Sequence, residues 1–166
     1  IMQDVVAAAH RHPPHGRGTV GMVQVFPNSR NVIPGRVKFS IDLRNSTDAL
    51  VDQMAAEVKA FADQVAQEHG VQVRIDLVSS YPAQQFHAEC VQAVGRAAAQ
   101  LGYSHMPAVS GAGHDAVYMA KLAPAGMIFI PCKDGISHNE IEDASPEHIT
   151  AGCNVLLHAM LERALA

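Results

Sequence analysis

The segment that most constrains the fold is a continuous apolar run at 126–131, with the sequence GMIFIP. A short run without polar residues at alternate positions is typical of a strand that is buried on both faces of a parallel sheet. Such a strand needs neighbouring strands to pair with. The surrounding half of the chain offers too few strands, so we expect the missing ones to come from outside this chain. The chain is therefore predicted to be part of a larger protein.

The first half of the chain alternates between helical and strand patterns. An opening helix ends by Pro13, because proline cannot continue it. A β-rich segment follows at 19–26, and 37–44 alternates cleanly between apolar and polar residues. A second helix ends at Gly70, a typical C-cap, and 71–77 alternates again. This order is that of a ferredoxin-like βαββαβ unit that lacks its first strand.

The second half begins near a boundary at 79–82, which contains serine, tyrosine and proline. A helix is predicted at 84–101 and a short one at 116–122. A final helix begins after Ser145, an N-cap residue followed by proline at the first helical position. This last helix is predicted to bury the apolar positions Ile149, Cys153, Leu156, Met160 and Leu165.

Composition excludes several classes of protein. The 166 residues suffice for one ordinary domain or two small ones, here assigned to 1–81 and 82–166 of a mixed α/β chain. Twelve basic against sixteen acidic side chains argue against a nucleic-acid partner. No apolar run is long enough to span a membrane. The three cysteines form no C-x-x-C pair, which favours a reducing cytoplasm over a disulfide framework.

Ten histidines are an unusual number for this length, and two of them lie in informative loops. His114 follows two glycines in the segment SGAGHDA at 110–116. Glycines let a ligand approach the main chain, and a histidine at a helix start is well placed to donate to an anionic oxygen. The alternative is a tight turn in which His114 is a surface residue with no functional role.

His138 lies in the loop that follows the apolar run, among the four acids of 134–143. Open α/β sheets place ligand sites beyond the carboxyl ends of their strands, and a neighbouring carboxylate often orients a ligating histidine. A solvated acidic loop is the alternative. Asn31, in a turn, and Arg44, at a strand end, form a third candidate pair, since arginine binds carboxylates through two hydrogen bonds. A surface ion pair of Arg44 with Asp42 or Asp48 is the more ordinary explanation.

Several segments together resemble one family. They are NSRNVIPG at 28–35, FSIDLR at 39–44, SGAGHDA at 110–116, and MIFIP at 127–131 followed by DGISHNE at 134–140. The first two are similar to the lid, or dimerisation, domain of the metal-dependent M20 amidohydrolases. The others resemble the hydantoinase/carbamoylase branch, which includes N-carbamoyl-L-amino-acid hydrolases, β-ureidopropionases and allantoate amidohydrolases. The resemblance covers essentially the whole chain, in family order.

The resemblance implies a lid followed by the C-terminal part of a zinc-peptidase-like α/β sheet domain. His138 matches the last ligand of a binuclear centre of zinc, manganese or cobalt. His114 matches the histidine that contacts the substrate and stabilises the tetrahedral intermediate, with Gly113 as a backbone contact beside it. Asn31 and Arg44 match lid residues that hold the substrate, Arg44 on its carboxylate. Such enzymes cleave the ureido C–N bond of N-carbamoyl-L-amino acids to amino acid, ammonia and carbon dioxide, and dimerise through the lid.

The chain also departs from the family. The other metal ligands, the catalytic glutamate, the first lid strand and the lid histidine that reaches the partner subunit have no counterpart here. Catalytic metals need about three protein ligands, so this chain alone is predicted to be inactive and to bind no metal tightly. The missing N-terminal portion of the same protein is then its partner. Two other hypotheses stay open: an allantoate amidohydrolase, and a non-catalytic dimerisation or binding module.

Overall fold

A computed structural model describes residues 1–165 and has a mixed α/β architecture, as predicted. The chain forms two compact units, Ile1–Ala83 and Gln84 onward. The first unit contains two helices and four short strands. They are α1 (Met2–Arg11), β1 (Arg17–Thr19), β2 (Val23–Phe26), β3 (Arg36–Phe39), β4 (Asp42–Arg44) and α2 (Asp48–His69).

The four strands form one long antiparallel hairpin with a break in its middle. β1 pairs with β4 and β2 pairs with β3. Thr19 pairs with Asp42 and Val23 with Phe39, so one side carries an extra residue between the two ladders, as in a β-bulge. The prediction of a single strand at 37–44 is therefore wrong in one respect, because the strand is interrupted at Ser40 and Ile41. There the Ser40 hydroxyl accepts from the amide of Met22 at 3.1 Å.

Helices α1 and α2 pack against the end of the hairpin formed by β1 and β4, called here its base. Val5 and Ala8 of α1 and Val58 of α2 are buried together, with Val20, Ile41 and Leu43 of the hairpin packed against them. The contact between α1 and β1 is close enough to require glycine: a Cβ on Gly18 would lie 2.3 Å from the carbonyl oxygen of Val5. This packing fixes the base of the hairpin and leaves its far end exposed.

The ends of α2 are determined locally. The hydroxyl of Thr47 accepts from the amide of Leu50 at 3.4 Å, which satisfies one of the free donors of the first turn. At the other end Gly70 adopts a left-handed conformation with φ of 63°. The predicted C-cap is confirmed.

The strand predicted at 71–77 is wrong. This segment has no strand pairing in the part of the chain that the structure describes, and Leu77 is 83% exposed. The alternation of apolar and polar residues indicates a strand-like face, but a strand forms only where a partner strand completes its hydrogen bonds. The hairpin and the two helices are thus the regular secondary structure of the first unit.

The second unit is built on two long helices. Its elements are α3 (Ala88–Gln100), α4 (Ala116–Met119), a 3₁₀ turn (Lys133–Gly135) and α5 (Pro146–Ala164). Helices α3 and α5 pack together through small residues, and the core consists of Ala93, Ala97, Ala98, Val155 and Ala159. Two ion pairs tie the same helices together, Arg96 with Glu162 and Arg163 with Glu89.

Three expectations for this unit need correction. The helix predicted at 84–101 begins only at Ala88, and the one at 116–122 ends at Met119. The apolar run at 126–131 has no strand partner among residues 1–165, although Ile128 packs against the core of the two helices. As with 71–77, an apolar run cannot become a strand without another strand beside it.

The buried face of α5 also differs from the prediction. Its N-terminus is as expected, since the Ser145 hydroxyl accepts from the amide of His148 at 3.2 Å and Pro146 occupies the first position. The buried residues, however, are Val155 and Ala159. The predicted face is exposed at Ile149, Cys153, Leu156, Met160 and Leu165. Because α5 is apolar on both sides, periodicity alone did not distinguish the side that packs on α3.

Candidate substrate and metal site

The His114 side chain is held by two neighbours. The hydroxyl of Ser110 lies 2.6 Å from Nε2 of His114, and the same hydroxyl accepts from the amide of Ala112 at 3.1 Å. The ring of Phe129 meets the imidazole edge-on, with 5.5 Å between ring centroids. His114 is half-buried and lies two residues before α4, and its carbonyl accepts from the amide of Val117. The imidazole is therefore oriented by side-chain contacts.

Gly113, beside it, is exposed and has open space around its α-carbon, since a Cβ there would meet nothing within 4 Å. The glycine is thus not required by packing. Its main chain is exposed, and the backbone contact expected next to His114 stays a prediction.

His138 lies in the loop 132–143, called here the His138 loop. The amide of Lys133 donates to the carbonyl of Asp143 at 2.7 Å and closes the loop at its base. His138 has φ of 58°, which is uncommon for a residue with a side chain. Its Nδ1 lies 3.0 Å from the hydroxyl of Ser137, and its amide donates to the Glu142 carboxylate at 2.8 Å.

The His138 imidazole is suited to bind a metal as a single ligand. It is exposed, and the contact of Nδ1 with Ser137 leaves Nε2 for an ion, the arrangement in which one ring nitrogen is fixed by a neighbour and the other coordinates. Residues 1–165 contain no group of three or more His, Cys, Asp or Glu side chains arranged to hold a metal. Among these residues, His138 could therefore supply at most one ligand of a metal centre.

Asn31 and Arg44 lie at opposite ends of the hairpin. Asn31 is in the exposed loop between β2 and β3, where its side-chain oxygen accepts from the Ser29 hydroxyl. Arg44 ends β4 and pairs with Arg17, at the base. At about 3.3 Å per residue, the hairpin separates the two positions by roughly 25–30 Å. The structure does not bring them together within one chain.

Arg44 is paired with an acid in this structure. Its Nε donates to Asp42 at 2.7 Å, and the hydrogen bond to Asp42 raises the pKa of the guanidinium further above its usual range. This is the ordinary ion pair that the sequence left open. Both groups are about half exposed. An exposed ion pair contributes little free energy, so Arg44 can exchange Asp42 for another carboxylate.

The two histidines have neighbours that no sequence pattern indicates, namely Ser110, Phe129 and Glu142. Ser110 precedes His114 by four residues and Glu142 follows His138 by four. The loop acids were noted as a group, but nothing in the order of residues distinguishes the one that bonds to the main chain. His12, in turn, has a structural partner, since its Nε2 lies 2.7 Å from Glu57 of α2.

None of the helices described in the structure combines the length and apolar character needed to cross a membrane.

Comparison with known proteins places these features in a family context. Residues 3–162 match the model of peptidase family M20/M25/M40. An N-carbamoyl-L-amino-acid amidohydrolase of Rhizobium meliloti is 45% identical, over 99% of this chain and 39% of the relative. An allantoate amidohydrolase of Bacillus subtilis is 31% identical, over 94% of this chain and 38% of the relative.

A solved structure of a hydantoinase/carbamoylase family amidase from Burkholderia multivorans superposes with a TM-score of 0.95 at 51% identity. The match covers 99% of this chain and 40% of the amidase. The chain thus spans about two fifths of the length of the relatives it matches.

Proposed function

The chain belongs to peptidase family M20/M25/M40, and on that premise we propose that it is part of a hydrolase of linear amides that cleaves the ureido C–N bond of N-carbamoyl-L-amino acids. The observation that carries the proposal is the 45% identity to an N-carbamoyl-L-amino-acid amidohydrolase over nearly the whole chain. The products would be an amino acid, ammonia and carbon dioxide.

The proposed metal centre would use His138 as one ligand. Two divalent ions, zinc, manganese or cobalt, would when bound lower the pKa of a coordinated water and supply hydroxide at neutral pH. His138 contributes an exposed imidazole whose Nδ1 contacts Ser137, so Nε2 would be the nitrogen that binds an ion. The remaining ligands and the group that accepts the water proton would come from another part of the complete protein. That part would correspond to the portion of the relatives that this chain does not span. By itself the chain would then be inactive and hold no metal tightly.

His114 is proposed to contact the carbonyl oxygen of the ureido group. An imidazole N–H directed at an oxygen that becomes negatively charged stabilises the transition state more than the ground state. The contacts with Ser110 and Phe129 hold the ring in place, which reduces the reorganisation needed when charge develops. Gly113 would offer its main chain beside this oxygen.

Arg44 is proposed to bind the carboxylate of the amino-acid part of the substrate through two hydrogen bonds. Closure of the lid onto the substrate would place this group and exclude water. Asn31 lies too far along the hairpin to reach the same small molecule from the same chain. If both hold one substrate, they act from different subunits, which supports the proposal of a homodimer formed through the first unit.

Two alternatives rest on specific observations. An allantoate amidohydrolase is favoured by the Bacillus subtilis relative, at lower identity. A non-catalytic dimerisation or binding module is favoured by the absence of a complete metal-ligand group among residues 1–165. A cytoplasmic location stays a prediction that rests on the cysteine pattern.

The test is ammonia release by the complete protein that contains this chain. It is incubated with added Mn²⁺, Zn²⁺ or Co²⁺ and a panel of N-carbamoyl-L-amino acids, allantoate and simple amides. The proposal predicts the highest kcat/KM for N-carbamoyl-L-amino acids and loss of activity after chelation. Preference for allantoate supports the second function, and no release from any substrate supports the binding module.

A further inference from the structure

We propose that Glu142 is a positioning residue that holds His138 in the orientation in which its imidazole reaches the metal. The inference rests on the proposed function and deepens it, because it names the group that supports the ligand. Glu142 itself is not proposed to touch metal or substrate. Its two carboxylate oxygens contact different parts of the His138 loop.

The carboxylate of Glu142 joins two separate parts of the loop. One oxygen, Oε2, accepts from the amide of His138 at 2.8 Å. The other, Oε1, lies 3.9 Å from Sγ of Cys132, at the start of the loop. A hydrogen bond to an ionised carboxylate is shorter and stronger than one between neutral groups. Glu142 therefore connects the ligand's main chain to the base of the loop.

The backbone of His138 needs such support. With φ of 58° it lies in the left-handed region, which a residue with a Cβ occupies only when the surroundings hold it there. The bond from the His138 amide to Glu142 fixes the direction of that N–H. A return of φ to a negative value would turn the peptide plane and carry the imidazole to a different place.

Few other contacts in the loop act on His138 itself. The amide of Glu142 donates to the Asn139 carbonyl at 2.9 Å, and the amide of Ile141 donates to the Asn139 side chain at 3.1 Å. These bonds shape the turn after His138 and bring the Glu142 side chain back toward it. Ser137 contacts the ring but not the main chain. Within the described part of the loop, Glu142 is thus the side chain that bonds the backbone of the ligand.

The experiment compares metal binding by the complete enzyme and three variants. Glu142→Ala removes the acceptor, and Glu142→Gln keeps an amide oxygen that can accept from His138 but removes the charge. Glu140→Ala is the matched control, because it deletes the same charge from the same exposed loop. Dissociation constants for Mn²⁺ and Zn²⁺ are measured by competition with a chromophoric chelator, together with the melting temperature of the metal-free protein, kcat and KM.

Loss of an outer partner of a ligating histidine weakens metal binding by roughly 10- to 100-fold. We expect a weakening of that size in Glu142→Ala, a much smaller one in Glu142→Gln, and wild-type affinity in Glu140→Ala. KM should change little at saturating metal. If Glu142→Ala does not fold, the test compares Glu142→Gln with Glu140→Gln. The inference then requires that Glu142→Gln folds and binds metal at near wild-type affinity.

Equal weakening in Glu142→Ala and Glu140→Ala would overturn the inference, since loop charge alone would then explain it. Unchanged metal affinity in Glu142→Ala would also overturn it. So would a Glu142→Gln variant that fails to fold, or that binds metal as weakly as Glu142→Ala. These results differ from failure of the proposed function, in which the wild-type enzyme itself neither binds divalent metal nor releases ammonia.

Discussion

The first unit, Ile1–Ala83, buries large side chains between helices and a paired hairpin, whereas the second unit, from Gln84 onward, buries mainly alanines between two helices. Met54 and Val5, the largest fully buried side chains of the described residues, both belong to the first unit. In the second, one side of α5 is apolar and exposed, and the run at 126–131 has no strand partner. The second unit thus keeps apolar surface that a sheet would normally cover.

The contrast matters for function because both candidate histidines belong to the less completely packed unit. His114 and His138 lie on loops of the second unit, while Arg44 and Asn31 belong to the hairpin of the first. The proposed division of labour is therefore metal binding and chemistry in the second unit and substrate holding in the first.

The largest effect is expected for His138→Ala in the complete enzyme. Loss of a direct metal ligand should reduce kcat/KM by more than the roughly 100-fold that marks the upper range for an outer partner. Steady-state ammonia release at a range of metal concentrations measures it. His158→Ala, an exposed histidine of α5, serves as the control and should behave as wild type. Activity of His138→Ala within a few-fold of wild type would contradict the assignment.

Substitutions of buried residues should lower the free energy of unfolding by different amounts in the two units. Met54→Ala removes a fully buried side chain and is expected to destabilise the first unit by about 2–5 kcal/mol. Val155→Ala removes two methyl-sized groups in the second unit and should cost about 1–2 kcal/mol. Hydrogen exchange of α2 and α5 in the same sample reports each unit separately. A larger loss of stability in Val155→Ala than in Met54→Ala would contradict the difference between the two cores.

Caps and turns were predictable from the sequence because they depend on neighbouring residues. Gly70 and Ser145 with Pro146 form the helix ends that their chemistry indicates. The strands were predictable only where the chain supplies both partners, as in the hairpin between 17 and 44. At 71–77 and 126–131 the pattern is strand-like, but the hydrogen-bonding partners are absent from residues 1–165.

The sequence indicated which residues belong to the candidate site, but it did not indicate their contacts or distances. His114 and His138 stand out because of the glycines and acids around them. The contacts of Ser110 with His114 and of Glu142 with His138 arise from loop closure, which spacing does not reveal. The separation of Asn31 from Arg44 follows from the hairpin register, which became clear only once the strand pairing was known.

Arg44→Lys tests the role of the first unit. Lysine keeps the charge but loses the planar pair of donors, so binding of the substrate carboxylate should weaken by roughly 10- to 100-fold. The expected result is a higher KM with metal affinity unchanged. The control is Arg36→Lys, on β3, whose guanidinium stacks on Phe26 at 4.2 Å. A fall in metal affinity without a change in KM would argue against the division of labour.

The smallest effect concerns acid sensitivity, which should occur in both units. Hydrogen bonds from His12 and then Arg11 lower the pKa of Glu57, and one from Arg96 lowers the pKa of Glu162, each from the ordinary value of 4.5. A carboxylate with a lowered pKa in the folded state stabilises it at neutral pH. That contribution is lost as the pH falls below about 4.5 through the folded pKa.

Unfolding midpoints measured between pH 7 and pH 3 check this expectation. Glu57→Gln and Glu162→Gln should each reduce the loss of stability on acidification slightly, because the groups are solvent-accessible. Glu140→Gln, in an exposed loop outside both helix pairs, should leave the pH profile unchanged. A steeper acid loss in either helix-pair variant would contradict the assigned direction of the pKa shifts.

The amount of bound metal shows whether His138 is one ligand of a centre completed by donors outside this chain. The 166-residue chain and the complete protein are each dialysed against Mn²⁺ or Zn²⁺ and analysed for bound metal after removal of free ions. We expect two tightly bound ions per subunit of the complete protein, fewer in His138→Ala, and none retained by the chain alone. Stoichiometric tight binding by the chain alone, or full binding in His138→Ala, would contradict it.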